Sequence, residues 1–182
     1  MESKSDLRLK AKNIRKTLDI NNISHELCKK IRGFDVYKSA QNVMIFYPMK
    51  YEIDLLELLQ DDKNFYLPKV FSLSPHPSPQ WGEGADSLLV CPYSSDLKKS
   101  DLNIYEPCTA PVNPKILDLI FVPALMVDNE NYRLGYGGGF YDRFLAKYPD
   151  IKTIVPISEE LIIDKLPHDK FDIKIDEIIS AK

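Results

Sequence analysis

A glycine-rich stretch, RLGYGGGFYDRFL, occupies positions 133–145 of this 182-residue chain and holds the residues best suited to chemistry. It contains four of the seven glycines of the chain. Such glycines adopt positive φ angles at little cost and leave backbone N–H groups accessible, and a following helix adds the positive end of its dipole. Arg133 and Arg143 flank the glycines and can donate charge-assisted hydrogen bonds. The stretch therefore predicts a cradle for an anion, most often a phosphate.

Two common phosphate-binding motifs do not match this stretch. The P-loop pattern GxxxxGK[ST] is absent because no Lys-Ser or Lys-Thr follows the glycines. The dinucleotide pattern GxGxxG, started at Gly135, fails at Phe140, and we predict no strand that runs directly into Gly135. A tight turn that simply requires glycine remains the alternative, although one turn needs only one or two glycines.

Helices and strands alternate along the chain around this stretch. Residues 5–19 are predicted as a helix with Ser5 as its N-cap, because apolar residues recur there with helical spacing and basic residues cover the other faces. Further helices are predicted at 23–32, 52–61, 142–148 and 159–166. Strands are predicted at 42–49, 64–70, 116–125, 152–157 and 175–180. The alternation and the continuous apolar strands predict an α/β fold with a mainly parallel, helix-covered sheet.

Segment 72–87, SLSPHPSPQWGEGADS, breaks this alternation because it has neither a helical nor a strand period. It combines proline, glycine and serine with the only tryptophan, which predicts a surface loop inserted into a single domain spanning 1–182. A functional lid is the alternative.

The composition excludes several broad classes. A net charge of −3 does not favour a nucleic-acid binder, and no apolar run approaches the length of a membrane span. The three cysteines show no metal-ligand spacing, so neither a disulfide scaffold nor a structural zinc site is expected. We expect a cytoplasmic protein without nucleic-acid or membrane partners.

The longer segment DLIFVPALMVDNENYRLGYGGGFYDRFL resembles the signature of the 5-formyltetrahydrofolate cyclo-ligase family. The match is specific from Arg133 to Leu145, with Phe140 at the first of two paired tyrosines, and weaker resemblance extends over most of the chain. Ala124 replaces a usual glycine, and Asn131 occupies a common glycine turn position where its tolerance of left-handed geometry preserves the turn. The resemblance implies a single-domain, three-layer α/β/α sandwich.

The resemblance also implies a reaction. Enzymes of this family close 5-formyltetrahydrofolate to 5,10-methenyltetrahydrofolate with ATP and Mg²⁺. The formyl oxygen attacks the γ-phosphate, the 10-nitrogen of the folate closes the ring, and phosphate leaves. Catalysis of this reaction depends mainly on the positioning of the two substrates and on neutralisation of the phosphate charge.

The resemblance assigns roles to particular residues of this chain. The catalytic residues are Arg133 and Asp142. The ATP-binding residues are Lys4, Arg8, Arg133, Leu134, Gly135, Tyr136, Gly137, Gly138, Gly139, Phe140 and Tyr141. The folate-binding residues are Tyr47, Met49, Glu52 and Tyr136. The magnesium ligands are Asp142 and Asp172.

Other interpretations remain open at this stage. Lys4 and Arg8 also fit a solvated basic helix face, and Glu52 and Asp142 fit acidic residues that favour a helix start. The whole chain could instead be a sugar-phosphate isomerase or acyl-transferase-like enzyme, or a degenerate relative that binds nucleotide or folate without catalysis. The leading hypothesis is a monomeric cyclo-ligase whose partners are a reduced folate and ATP.

Overall fold

The computed structural model describes residues 2–71, 87–100 and 104–182. Its helices are α1 (Lys4–Arg15), α2 (Ile20–Gly33), α3 (Asp35–Ser39) and α4 (Phe140–Lys147). Its strands are β1 (Asn42–Met44), β2 (Asn64–Phe71), β3 (Ser87–Pro92), β4 (Leu97–Lys99), β5 (Tyr105–Pro107), β6 (Leu119–Phe121), β7 (Met126–Asp128), β8 (Arg133–Leu134), β9 (Lys152–Ser158), β10 (Ile162–Ile163) and β11 (Glu177–Ala181). The predicted loop at 72–87 lies outside the described residues apart from Ser87, which begins β3.

The central sheet has six strands in the order β11-β9-β6-β1-β2-β3. All neighbouring strands are parallel except β2 and β3, which confirms a mainly parallel sheet. From β1 the chain adds β2 and β3 on one side, and it later adds β6, β9 and β11 on the other. The strand order therefore reverses between β1 and β6. The loops that leave the carboxyl ends of strands at such a point diverge and open a crevice where ligands bind.

Helices cover both faces of the sheet because strand side chains alternate between two apolar clusters. Met44 and Ile120 pack in the cluster that contains the buried residues of α1 and α4. Val43 and Phe121, one position along, pack in the cluster that contains those of α2. The predicted α/β/α layering is confirmed by this division of the core.

The first helix differs from the prediction at both ends. Ser3, not Ser5, is the N-cap, because its side chain accepts the backbone N–H of Asp6 and the Asp6 carboxylate accepts the backbone N–H of Ser3. This reciprocal capping box satisfies two backbone donors and starts the helix at Lys4. The helix ends at Arg15 rather than continuing to residue 19.

Two predicted helices are replaced by short 3₁₀ helices. Within 52–61 only Leu56–Gln60 is helical. The carboxylate of Asp54, just before this helix, accepts the backbone N–H of its first residue, Leu56. In 159–166 the 3₁₀ helix Glu159–Leu161 leads directly into β10, which pairs with β7. Apolar periodicity alone does not separate a helix of one or two turns from a turn that leads into a strand.

The segment between β6 and the glycines folds as a small hairpin of β7 and β8, which β10 extends to three strands. The side chain of Asp128 accepts the N–H groups of Glu130 and Tyr132 and so holds the turn. Asn131 has φ +65°, which confirms the left-handed geometry expected there. Because β8 ends at Leu134, a strand does run directly into Gly135, so that part of the motif comparison is wrong. No helix of the described ranges has both the length and the apolar character required to cross a bilayer.

Candidate active site

A cavity of about 830 Å³ lies where the strand order reverses, and residues that follow β1 and β6, such as Tyr47 and Pro123, line it. Other parts of its wall come from α1, from α4 and from the 169–173 segment. The structure brings together in this one cavity all of the residues predicted for the site: Lys4, Arg8, Tyr47, Met49, Glu52, Arg133, Leu134, Gly135, Tyr136, Gly137, Gly138, Gly139, Phe140, Tyr141, Asp142 and Asp172.

Residues 135–139, called the glycine loop here, form one end of the cavity. Gly137 has φ +108° and Gly139 has φ +66°, so side chains at these two positions would strain the backbone. Gly139 is also the N-cap of α4, which starts the helix without a side chain over its first N–H groups. Arg8 reaches the loop from α1, and its Nε donates to the carbonyl oxygen of Gly135 at 2.9 Å.

Arg133 lies beneath the glycine loop and is 8% exposed. Its Nη2 forms an ion pair with Asp142 Oδ1 at 3.0 Å, and its guanidinium lies 5.7 Å from the ring centroid of Tyr141. Within the described ranges, Arg133 Nε and the hydroxyl of Tyr141 are buried and have no hydrogen-bond partner, while Nη2, also buried, has only its ion pair with Asp142. Burial, reinforced by the charge of Glu52, raises the pKa of Tyr141 well above its usual range, so the hydroxyl stays protonated. These donors suit a ligand rich in acceptor oxygens.

The 169–173 segment is held on two sides of the cavity. Asp142 Oδ1 accepts the backbone N–H of Ile173 at 3.2 Å, which joins the segment to α4. Lys4 Nζ donates to Asp172 Oδ2 at 2.5 Å and to Asp169 Oδ2 at 3.2 Å, which joins the segment to α1. Two carboxylates, Asp142 and Asp172, thus come to the same cavity wall.

These ion pairs shift the pKa values of their members. Partial burial works to lower the pKa of Lys4, but its hydrogen bonds to Asp172 and Asp169 outweigh burial and raise that pKa. The backbone N–H of Phe171 and then the Lys4 ammonium lower the pKa of Asp169. Among the described residues, no group of three or more His, Cys, Asp or Glu side chains is arranged to hold a metal ion.

The opposite end of the cavity, called the Glu52 end here, is built around a carboxylate that is 4% exposed. Glu52 Oε2 accepts the backbone N–H of Met49 at 2.9 Å, and Oε1 accepts the hydroxyl of Tyr136 at 2.6 Å. The same hydroxyl accepts a hydrogen bond from Arg15 Nη1 at 2.7 Å. Burial and the charge of Glu52 raise the pKa of Tyr136 well above its usual range, so this hydroxyl is the donor to the carboxylate.

Arg15 is one of the basic residues predicted to cover the other faces of the first helix, and the sequence assigned it no role in the site. It is only 5% exposed. A signal was present, since intervals of four and seven residues place Lys4, Arg8 and Arg15 on the same face of α1. Glu106 of β5 was also missed. It is buried, lines the cavity and accepts the N–H of Val70 at 3.0 Å. Strand β5 has only three residues, too few for a periodic pattern.

The sequence model of the 5-formyltetrahydrofolate cyclo-ligase family matches residues 1–181. The chain belongs to this family. Among curated cyclo-ligases, the mouse protein is 26% identical over 167 residues, which cover 84% of this chain and 79% of the relative. The Escherichia coli K12 protein is 30% identical over 153 residues, 78% of each chain.

Solved structures of cyclo-ligase relatives share the fold. The NMR structure of the Aquifex aeolicus 5,10-methenyltetrahydrofolate synthetase superposes with a TM-score of 0.78 at 27% identity, and the match covers 97% of this chain and 89% of that one. A Mycoplasma pneumoniae 5,10-methenyltetrahydrofolate synthetase gives a TM-score of 0.74 at 20% identity, with 98% of both chains covered. The resemblance drawn from 133–145 and the α/β fold that it implied are both confirmed.

Proposed function

We propose that this chain closes 5-formyltetrahydrofolate to 5,10-methenyltetrahydrofolate, with consumption of ATP and release of ADP and phosphate. One observation carries the proposal: a single cavity joins the glycine loop, flanked by buried donors of Arg133 and Tyr141 that have no hydrogen-bond partner among the described residues, to the buried carboxylate of Glu52. The reaction needs such a cavity, because it brings a polyanion and a reduced pterin into contact. Membership of the cyclo-ligase family supports a reduced folate and ATP as the two substrates, and we assign both to this cavity.

The glycine-loop end is the proposed site of the ATP phosphates. Its backbone N–H groups and the N-terminus of α4 favour anions, and Lys4, Arg8 and Arg133 bring cationic groups to the same wall. Arg133 Nε and the hydroxyl of Tyr141 have no other hydrogen-bond partner in the described part of the chain. Phosphate oxygens would satisfy both.

The Glu52 end is the proposed site of the pterin. Each oxygen of Glu52 accepts one hydrogen bond from the protein, and a carboxylate has about four acceptor positions, so capacity remains for the aminopyrimidine edge of a pterin. Tyr47 and Met49 line the cavity beside it. Tyr136 belongs to the glycine loop and also contacts Glu52, so it lies between the two proposed substrates.

The proposed reaction has two steps. The formyl oxygen attacks the γ-phosphorus, a new O–P bond forms, and the bond to ADP breaks. The 10-nitrogen of the folate then bonds to the activated formyl carbon and loses its proton to solvent, and the C–O bond breaks to release phosphate. Arg133, buried beneath the loop, offsets negative charge on the transferred group, while Glu52 fixes the pterin so that the formyl oxygen faces the phosphate.

Asp142 and Asp172 are proposed to hold Mg²⁺, and their contacts fit that role. The contacts described for Asp142 use Oδ1 and those for Asp172 use Oδ2, so each carboxylate has a second oxygen for a cation. Mg²⁺ in nucleotide sites is usually held by one or two carboxylates together with phosphates and water, so two aspartates suffice. When bound, the ion would neutralise phosphate charge. An Asp142→Asn variant should need more Mg²⁺ for half-maximal rate.

We further propose that the chain works as a monomeric single domain in the cytoplasm, with its two small substrates as partners and without nucleic acid or membrane. The three cysteines, Cys28, Cys91 and Cys108, are free, which suits a reducing compartment. Sedimentation of the purified protein tests the monomer.

The decisive test of the proposed function is a spectroscopic assay. Purified protein is mixed with 5-formyltetrahydrofolate, ATP and Mg²⁺, and the methenyl product is followed by its absorbance. Product should form only when protein and ATP are both present, and one ADP should appear for each methenyl group. Absence of product above the protein-free control would contradict the proposal.

A further inference from the structure

Arg15 occupies an unusual position for an arginine. It is buried in α1, and its guanidinium contacts three separate segments around the cavity. Nη2 donates to the carbonyl oxygen of Ala124, in the loop after β6. Nη1 donates to the hydroxyl of Tyr136, in the glycine loop, and lies 3.8 Å from Glu52 Oε1, in the loop after β1.

These contacts join the two sides of the crevice at its base. The loops after β1 and β6 diverge because the strand order reverses between these strands. Ala124 and Glu52 lie on opposite sides of that divergence, and Arg15 bonds to one and forms an ion pair with the other. Its planar guanidinium suits this task, since its donors have fixed relative directions that a lysine ammonium lacks.

We propose that Arg15 is the positioning residue of the Glu52 end, which fixes the Glu52 carboxylate and the Tyr136 hydroxyl in the orientation that receives the pterin. This inference rests on the proposed role of Glu52 in folate binding. The guanidinium offsets the buried charge of Glu52 and holds the Tyr136 oxygen, whose proton then points to Glu52 Oε1. Met49 N–H fixes the other carboxylate oxygen, so the remaining acceptor positions face in defined directions.

Loss of Arg15 should therefore weaken folate binding more than ATP binding, although Arg15 is not proposed to contact either substrate. Loss of its contacts lets the carboxylate and the tyrosine reorient, and the pterin must then order them when it binds. The ATP side should change less, because Arg8, Arg133 and the glycine backbone keep their own contacts there. Substitution of an arginine that only supports the fold would lower stability without weakening the binding of one substrate more than the other.

Calorimetric titration of 5-formyltetrahydrofolate into wild type, Arg15→Lys, Tyr136→Phe and the double variant tests the inference. Arg15→Lys keeps a charge but cannot reach three partners, and we expect its Kd for the folate to rise about tenfold, the loss of one or two charge-assisted hydrogen bonds. The Kd for a non-hydrolysable ATP analogue should rise less than about twofold on the same basis. Lys12→Ala, an exposed cation on the same helix, is the control and should bind both ligands like wild type.

The double variant sharpens the test. Because Arg15 and Tyr136 act through one hydrogen-bonded network, their effects on folate Kd should be clearly less than additive. Additive effects, or equal losses of folate and ATP binding by a folded Arg15→Lys, would overturn the inference. If Glu52→Gln weakens folate binding while Arg15→Lys does not, only the inference fails. If wild type itself does not bind the folate, the proposed function fails with it.

Discussion

At the Glu52 end of the cavity both carboxylate oxygens accept hydrogen bonds from the protein. At the glycine-loop end, by contrast, neither the Arg133 Nε donor nor the Tyr141 hydroxyl forms a hydrogen bond within the described residues. A buried polar group left without a partner costs about 1–3 kcal/mol of stability. At the Glu52 end the protein thus fixes both carboxylate oxygens before substrate arrives, whereas the glycine-loop end keeps donors that a ligand can satisfy. We therefore expect substitutions at the glycine-loop end to lower activity more than stability, and substitutions at the Glu52 end to lower both.

The largest effect is expected for Arg133→Ala. Loss of the buried cation that offsets charge on the transferred phosphoryl group should lower kcat about a thousandfold. The free energy of unfolding should fall by only about 1–2 kcal/mol, because the ion pair with the partly exposed Asp142 is lost. Single-turnover rates and urea denaturation measure the two quantities. Lys147→Ala, an exposed cation on α4, serves as the control and should leave kcat unchanged. An Arg133→Ala variant that is strongly destabilised but has normal kcat when folded would contradict the catalytic role of Arg133 and indicate a structural one.

Glu52→Gln should affect both quantities. The amide keeps the shape of the side chain but leaves the buried Arg15 without its counter-charge, so the free energy of unfolding should fall by about 3 kcal/mol. The KM for 5-formyltetrahydrofolate should rise about a hundredfold, because charge-assisted hydrogen bonds to the pterin are lost. Steady-state kinetics and denaturation check both values. Glu130→Gln breaks an exposed ion pair with Lys165 and should change neither.

Two tyrosine variants compare the ends directly. Tyr141→Phe removes a buried hydroxyl without a described partner, so stability should stay the same or increase while kcat falls about tenfold. Tyr136→Phe removes a hydroxyl that bonds both Arg15 and Glu52, so it should lower the free energy of unfolding by about 1–2 kcal/mol. Thermal denaturation of both variants measures these changes in stability. Greater destabilisation by Tyr141→Phe would contradict the contrast between the two ends.

The smallest effect is expected for Lys4→Met, measured as the melting temperature at several pH values. The pKa of Lys4 is raised above 10.5 on folding, so its contribution is present below that pH and is lost as pH rises through the folded pKa. The pKa of Asp169 is lowered below 3.8, so its contribution is present above that pH and is lost as pH falls through the folded pKa. The difference from wild type should therefore be constant near neutrality and shrink at both extremes. A difference that persists in strong acid and base would show that the ion pair is not its source.

The motif at 133–145 predicted much of the site because its chemistry is local in sequence. The four glycines, Arg133 and Asp142 are close along the chain, and one loop with one helix places them all. The resemblance supplied the distant members, such as Glu52, which the structure brings to the same cavity. Helical spacing groups Arg15 with Lys4 and Arg8, but it does not show that Arg15 is buried. That burial depends on contacts with Ala124 and Tyr136, more than a hundred positions away.

The sheet was predictable where strands are long or continuously apolar, as in β2 and β9. Strands of two or three residues, such as β8 and β10, carry no periodic pattern and form only because a partner strand lies beside them. The helix predicted at 52–61 fails for a related reason. Glu52 accepts hydrogen bonds from the backbone of nearby Met49 and from the distant Tyr136, and these contacts hold its segment outside a regular helix.

The bond between Lys4 and Asp172 spans 168 positions of the chain, and the bond between Arg8 and Gly135 spans 127. Contacts between residues so far apart in sequence require closure of very large loops, which slows folding relative to local contacts. During synthesis the cationic side chains of α1 lack these partners until the chain has been extended past Gly135 and Asp172. Until then the helix has neither the glycine loop nor the 169–173 segment as a partner. We therefore expect the assembly of the cavity to be among the last events of folding, so that the appearance of substrate binding during refolding reports on completion of the fold.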